Sequence, residues 1–180
     1  MPRVLVPLAE GFEEIEAVTI IDVLRRAGIK VVVAGLKPGA VTGSHGIRID
    51  TDLALDAARA ADYALIALPG GLPGADHLEQ DPRIRRLVLE MAAAGKTVSA
   101  ICAAPRVLAS AGLLEGRRAT SYPGFLDPQR VNYQEDAVVI DGQLITSRGP
   151  ATAMTFALTL VETLAGPAKR AELEQRMLVS

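Results

Sequence analysis

Short apolar runs recur along the chain at Arg3–Leu8, Ile29–Gly35, Tyr63–Leu68 and Lys96–Ile101, each bounded by Gly, Pro or charged residues. Runs of this length read as strands covered on both faces, where neither face has to be polar. Between them the pattern changes to a helical one. Acidic residues cluster at Glu13, Glu14 and Glu16, where they complement the positive end of a helix, and Gly28 stands at the natural stop. That helix is expected to keep Ile15, Val18, Ile21, Leu24 and Ala27 near one buried face. Asp81-Pro82 opens another helix, which runs to Ala94 and is closed by Gly95. A third starts near Ala103, and a fourth spans about Ala151 to Leu164. After Gly166-Pro167 a last amphipathic helix ends near Leu178-Val179. The opening strand, helix and strand form a βαβ unit, which predicts an α/β fold with a mostly parallel sheet.

The other segments depart from this alternation. Val41–Asp50 has glycines about a short tip and β-prone arms, and reads as a hairpin or an edge excursion, with His45 exposed at the tip. Asp52–Ala61 reads as a short Ala-rich connector helix, and His77 as outward-facing on a helical turn. Arg118–Gly124 reads as a short strand running into a loop. Ala137–Ile140 and Gln143–Thr146 flank Asp141-Gly142, a strong hairpin signal. No internal repeat or low-complexity stretch interrupts the chain, and its 180 residues predict one domain spanning 1–180.

Composition narrows the function classes. With 49% hydrophobic and 22% charged residues the chain can bury a substantial core. A formal net charge of -2 and only short arginine pairs supply no field for nucleic acid or an anionic membrane. No apolar run reaches the length of a membrane span, and the chain enters a strand almost at once after Met1, without a signal segment. A single cysteine forms no internal disulfide and fits a reducing, cytoplasmic setting.

That cysteine, Cys102, sits where the strand Lys96–Ile101 passes into a helix without a turn residue, among the small neighbours Ala100, Ala103 and Ala104. Such an elbow lifts a side chain above the sheet and turns unpaired helix N–H groups toward it, a setting that favours a thiolate. A buried, inert cysteine is the competing reading. Tyr63–Leu68 ends in Pro69-Gly70-Gly71-Leu72-Pro73-Gly74, where paired glycines bring backbone N–H groups to the rim on which α/β sheets bind ligands. This loop is read as an oxyanion site or as a structural tight turn. A phosphate loop is the competing reading, against which no Gly-Lys-Ser/Thr follows and the dinucleotide spacing is absent. Glu16 lies just inside the first helix near the same rim, whereas Glu13 and Glu14 read as surface groups. Arg148 is left open as a carboxylate clamp, a carbonyl ligand or plain surface. Two histidines and one cysteine argue against a structural zinc site, and neither a Gly-x-Ser-x-Gly nor a Gly-x-Cys-x-Gly elbow is present.

Gly11-Phe12-Glu13-Glu14-Ile15-Glu16, Arg25-Arg26-Ala27-Gly28-Ile29-Lys30-Val31, Leu68-Pro69-Gly70-Gly71, Ala100-Ile101-Cys102-Ala103 and Thr146-Ser147-Arg148-Gly149-Pro150 together resemble the ThiJ/PfpI superfamily. Within it they are similar to the branch holding the human parkinsonism-associated deglycase and bacterial YajL. The resemblance implies a flavodoxin-like three-layer sandwich, a homodimer built from the first helix and the hairpin region, and no cofactor. It also implies a reactive pair, Cys102 as nucleophile and Glu16 as general acid/base. The implied substrates are glyoxal, methylglyoxal or their early adducts with protein or nucleotide groups, released as hydroxy acids. Gly70, Gly71 and Ala103 would hold the oxyanion, with Tyr122, Arg26 and Arg148 completing the substrate site. The pair makes physical sense with the Glu16 carboxyl protonated and hydrogen-bonded to a low-pKa thiolate. Two positions depart from the human relative: Tyr122 replaces a histidine, and His45 replaces an arginine beside an anion pocket that involves Arg26. The same thiolate also suits a redox-responsive chaperone that senses peroxide through oxidation of Cys102.

Overall fold

The computed structural model describes residues 1–179. The strands are β1 (Arg3–Leu8), β2 (Lys30–Gly35), β3 (Val41–Thr42), β4 (Arg48–Ile49), β5 (Leu53–Ala54), β6 (Leu65–Leu68), β7 (Thr97–Ile101), β8 (Arg118–Ala119), β9 (Asn132–Tyr133), β10 (Val138–Asp141) and β11 (Leu144–Ser147). The helices are α1 (Glu14–Arg26), α2 (Gly74–Gln80), α3 (Pro82–Ala93), α4 (Pro105–Ser110), α5 (Ala153–Ala165) and α6 (Pro167–Met177).

Seven strands form the central sheet in the order β10-β11-β7-β6-β1-β2-β5, parallel throughout except for the β10–β11 hairpin. The apolar runs split by alternation: Leu5, Ile66 and Leu68 pack on one face, Val4, Val6, Leu65 and Ala67 on the other. α2, α3 and α4 cover the first face, while α1 and α5 cover the second, with α6 against α5. The result is the flavodoxin-like sandwich expected from the sequence. Every parallel strand delivers its carboxyl end to one rim, which is where β1, β6 and β7 hand over to the loops before α1, α2 and α4. Among the described residues no helix is long and apolar enough to cross a membrane.

Three local readings are corrected. Asp52–Ala61 is not a helix: Leu53–Ala54 joins the sheet edge beside β2, and two single 3-10 turns follow at Leu55–Ala57 and Ala60–Asp62. Asp52 anchors this course, its amide donating to the Val33 carbonyl and its carboxylate accepting from the Val33 N–H, both at 2.8 Å. Edge pairing and burial of Leu55, Ala58 and Ala60 override the helix preference of alanine. Helix α4 starts at Pro105, two residues later than expected, because Ala103 and Ala104 are used up in the bend. The core face of α1 is Ala17, Ile20, Ile21, Val23 and Leu24, whereas Ile15 and Val18 are 57% and 47% exposed.

Val41–Asp50 does form a hairpin, with β3 and β4 antiparallel in a small sheet of their own. Its turn closes over the start of α1: Gly11 donates its N–H to the Thr42 carbonyl at 2.8 Å, and Ser44 donates to the Phe12 carbonyl at 2.8 Å.

Candidate active site

The elbow after β7 holds Cys102 in the left-handed region, at a φ of 65°. A side-chain-bearing residue is rare there and costs about 1–3 kcal/mol unless its surroundings hold it. Two distant segments do so. The Cys102 N–H donates to the Ser147 carbonyl at 3.0 Å, and the Cys102 carbonyl accepts from the Tyr122 N–H at 2.9 Å. The residue is thus pinned between the end of β11 and the loop after β8, and its sulfur is only partly exposed.

Glu16 is wholly buried on the first turn of α1. Its backbone N–H donates to Glu13 Oε2 at 2.8 Å, so Glu13 caps the helix that carries it. Its carboxyl Oε2 accepts the Gly70 N–H at 2.8 Å. Oε1 is buried without a hydrogen-bond partner among the described residues, and the carboxyl group as a whole is coupled to the Cys102 thiol. Gly70 has no room for a side chain, since a Cβ would stand 2.7 Å from the Cys102 Cβ and 2.8 Å from Glu16 Oε2. Gly71, at a φ of 89°, is equally constrained: a Cβ would fall 2.4 Å from the Glu13 amide nitrogen.

These contacts set the electrostatics. Burial pushes the Glu16 carboxyl up to about 7, opposed by the hydrogen bonds from Cys102 and Gly70. Burial also pushes the Cys102 thiol up, and the charge and hydrogen bond of Glu16 take it further, to about 12, against the lowering effect of the Ala103 and Gly71 N–H groups. The elbow alone therefore does not make an acidic thiol, contrary to the expectation from its sequence, because desolvation outweighs the two N–H donors. The site does not accept two negative charges, and Glu16 and Cys102 titrate as one coupled pair.

The other expected site residues divide. Gly71 and Ala103 turn their N–H groups to the sulfur, whereas the Gly70 N–H is committed to Glu16 and is not free for an oxyanion. Tyr122 lies at the rim, half exposed, its ring edge-on to Phe125 and its hydroxyl without a hydrogen bond among the described residues. Arg148 takes the carbonyl-ligand role: its guanidinium reaches the Ser121 and Glu135 carbonyls at 3.4 and 3.3 Å and so braces the loop that holds Cys102. Arg26 is not brought to the thiol in this chain. It sits in the last turn of α1, paired with Asp22 at 2.7 Å, about 15 Å along the helix from Glu16.

Glu13 and Glu14 were expected on the surface and are buried instead, at 8% and 4% exposure. The Glu13-to-Glu16 spacing is that of an N-cap and its third helical residue, a signal present in the sequence. The Ser147 carbonyl and Tyr122 N–H that pin Cys102 leave no such trace, since any residue can supply them.

The model of the DJ-1/PfpI family matches residues 2–163. The chain is 45% identical over 181 residues to the protein dj-1beta of Drosophila melanogaster, covering 98% of this chain and 96% of that one. The crystal structure of that fly protein superposes with a TM-score of 0.94, covering 99% of this chain and 98% of the other at 44% identity. A protein of Pyrococcus abyssi named as a deglycase is 34% identical, over 90% of this chain and 99% of its own. The glutathione-independent glyoxalase DJR-1.2 of Caenorhabditis elegans is 39% identical, over 89% and 87%.

Proposed function

The chain belongs to the DJ-1/PfpI family, and from that premise we propose that it is a cysteine-dependent glyoxalase or deglycase. It acts on glyoxal, methylglyoxal or their early adducts and releases hydroxy acids. The relatives named as a deglycase and as a glutathione-independent glyoxalase support the reaction class. The observation that carries the mechanism is the buried Glu16 carboxyl, one oxygen of it unpartnered, coupled to the Cys102 thiol.

Only one negative charge fits between the two groups, and hydrogen bonding decides where it rests. The sulfur has two N–H donors, from Gly71 and Ala103, while Oε1 has none. A proton on the Glu16 carboxyl turns it into a donor to the thiolate, a charge-assisted bond stronger than one from a thiol. The resting pair is accordingly a neutral Glu16 and a Cys102 thiolate.

With methylglyoxal, the thiolate adds to the aldehyde carbon and the C=O electrons move to oxygen, which takes the proton from Glu16. The N–H groups of Gly71 and Ala103 follow the charge from sulfur to that oxygen. The Glu16 carboxylate then removes the proton from the same carbon, giving an enediolate, and returns it to the neighbouring carbon, while the hydroxyl proton passes from the first oxygen to the second. Collapse gives a lactoyl thioester on Cys102. Water cleaves it to lactate and regenerates the thiolate, so that methylglyoxal plus water becomes lactate with no external oxidant. From an adduct on an amine or thiol the same hemithioacetal forms when the thiolate displaces that group from the carbinol carbon, the leaving amine or thiol taking the Glu16 proton. Tyr122 has no part in these proton transfers.

Steady-state turnover of methylglyoxal to lactate tests the reading, with loss in Cys102→Ser and Glu16→Gln expected. Lactate formation undiminished in both variants contradicts it. The exposed Ile15 and Val18, together with Ile47 at 56% exposure, support a homodimer through α1 and the β3–β4 hairpin. Sedimentation of wild type and Val18→Glu tests this: a dimer that the substitution dissociates is expected, and a wild-type monomer refutes it.

A further inference from the structure

The fold gathers a second set of ionisable groups at the hairpin tip. Glu14 Oε1 accepts the His45 N–H at 2.6 Å and the Ile47 N–H at 3.3 Å, and Oε2 lies 3.0 Å from His45 Nδ1 and 3.3 Å from Ser44 Oγ. Gly43 makes this possible, because a Cβ there would stand 2.3 Å from the Glu14 carboxyl carbon. Burial works to raise the Glu14 pKa, but the His45 and Ile47 hydrogen bonds win and hold it below the usual carboxylate value, so it is charged.

Glu13 lies beside it. Its Oε2 is used on the Glu16 N–H, whereas its Oε1 has no hydrogen bond among the described residues and stands 3.8 Å from His45 Nδ1. The residue is more than nine-tenths buried, and this free oxygen is aimed at the imidazole. Neither glutamate meets a Lys or Arg among the described residues; His45, 72% exposed, is the one ion-pair partner of both.

We propose that Glu13 Oε1, Glu14 Oε2 and His45 Nδ1 form a binding site for a divalent transition-metal cation of the zinc type, separate from the Cys102 thiol. The three ligand atoms lie within 4.8 Å of one another. Tetrahedral zinc at about 2.0–2.1 Å from its ligands needs them about 3.3 Å apart, and the two separations from Nδ1, 3.0 and 3.8 Å, bracket that value. Two carboxylates and an imidazole nitrogen are the kinds of ligand such a dication takes. One nitrogen with two oxygens suits zinc and its neighbours, whereas calcium and magnesium call for oxygen ligands in greater number. The metal takes the Nδ1 lone pair, leaving Nε2–H toward solvent, and water fills the fourth position beside the Ser44 hydroxyl, itself 3.1 Å from Nδ1. Counting only His and Cys in the sequence hides the site, because its ligands include two glutamates about thirty residues from the histidine.

Calorimetric titration of the metal-free protein with zinc chloride tests this. One equivalent is expected to bind wild type and Cys102→Ala with the same Kd, and His77→Ala to leave it unchanged. His45→Ala, at an exposed position, and Glu13→Gln, which keeps an oxygen for the Glu16 N–H, are each expected to weaken binding about tenfold or more. Absence of saturable binding overturns the site. So does binding that survives both His45→Ala and Glu13→Gln, or binding that is lost in Cys102→Ala.

Discussion

Gly70 donates its backbone N–H to Oε2 of Glu16 at 2.8 Å, joining residues 54 positions apart in sequence. That bond fixes one carboxyl oxygen, so a glycine packed directly against Cys102 sets the geometry of the reactive pair. Gly70→Ala places a Cβ 2.7 Å from the Cys102 Cβ and 2.8 Å from the Ile101 carbonyl. A loss of about 1–3 kcal/mol of stability is expected, together with loss of turnover. Gly28→Ala, with nothing within 4 Å of its Cβ, is expected to cost about 1–2 kcal/mol through its positive φ alone and to retain activity. Equal turnover in the two variants contradicts the role given to Gly70.

Glu16 also makes stability depend on pH. Its pKa is raised from 4.5 to about 7 on folding, so between those values the native chain holds a proton that the unfolded chain has lost. The stabilisation is complete below pH 4.5 and disappears as pH rises through 7. Wild type is expected to lose about 3 kcal/mol relative to Glu16→Gln between pH 4.5 and 7.5, read from urea unfolding at the two values. A pH-independent difference between the two proteins contradicts the burial of a titrating carboxyl.

The Tyr122 hydroxyl makes no hydrogen bond among the described residues, and its ring is half exposed at the rim. Tyr122→Phe is therefore expected to change stability by no more than about 0.5 kcal/mol and to leave kcat unchanged. A large fall in kcat with KM unchanged assigns the hydroxyl to the chemistry and refutes its exclusion.

Much of this architecture is legible in the chain because strands buried on both faces announce themselves as apolar runs. The elbow at Cys102 and the glycines at 70 and 71 were likewise readable, one from a strand meeting a helix, the other from a paired break at a strand end. The face of α1 was misjudged because Ile15 and Val18 obey helical spacing yet point away from the sheet, and periodicity does not say which of two apolar stripes the core takes. Glu13 and Glu14 were misplaced for a different reason. Acidic residues at a helix start are ordinarily solvated, and only the hairpin arriving from residues 41–49 buries these two. The Asp52–Ala61 segment shows local propensity losing to a sheet edge.

The most direct test of the reactive pair is thiolate absorbance as a function of pH, in wild type and Glu16→Gln with Cys102→Ser as the blank. If the proton stays on Glu16, the thiolate appears in the first ionisation of the pair, below the ordinary thiol range, and Glu16→Gln moves that step upward because an amide is a weaker donor than a carboxylic acid. If the proton stays on sulfur, absorbance appears only at about 12, and Glu16→Gln lowers it by removing the carboxylate charge. The first pattern is the expected result; the second contradicts a resting thiolate and the mechanism built on it.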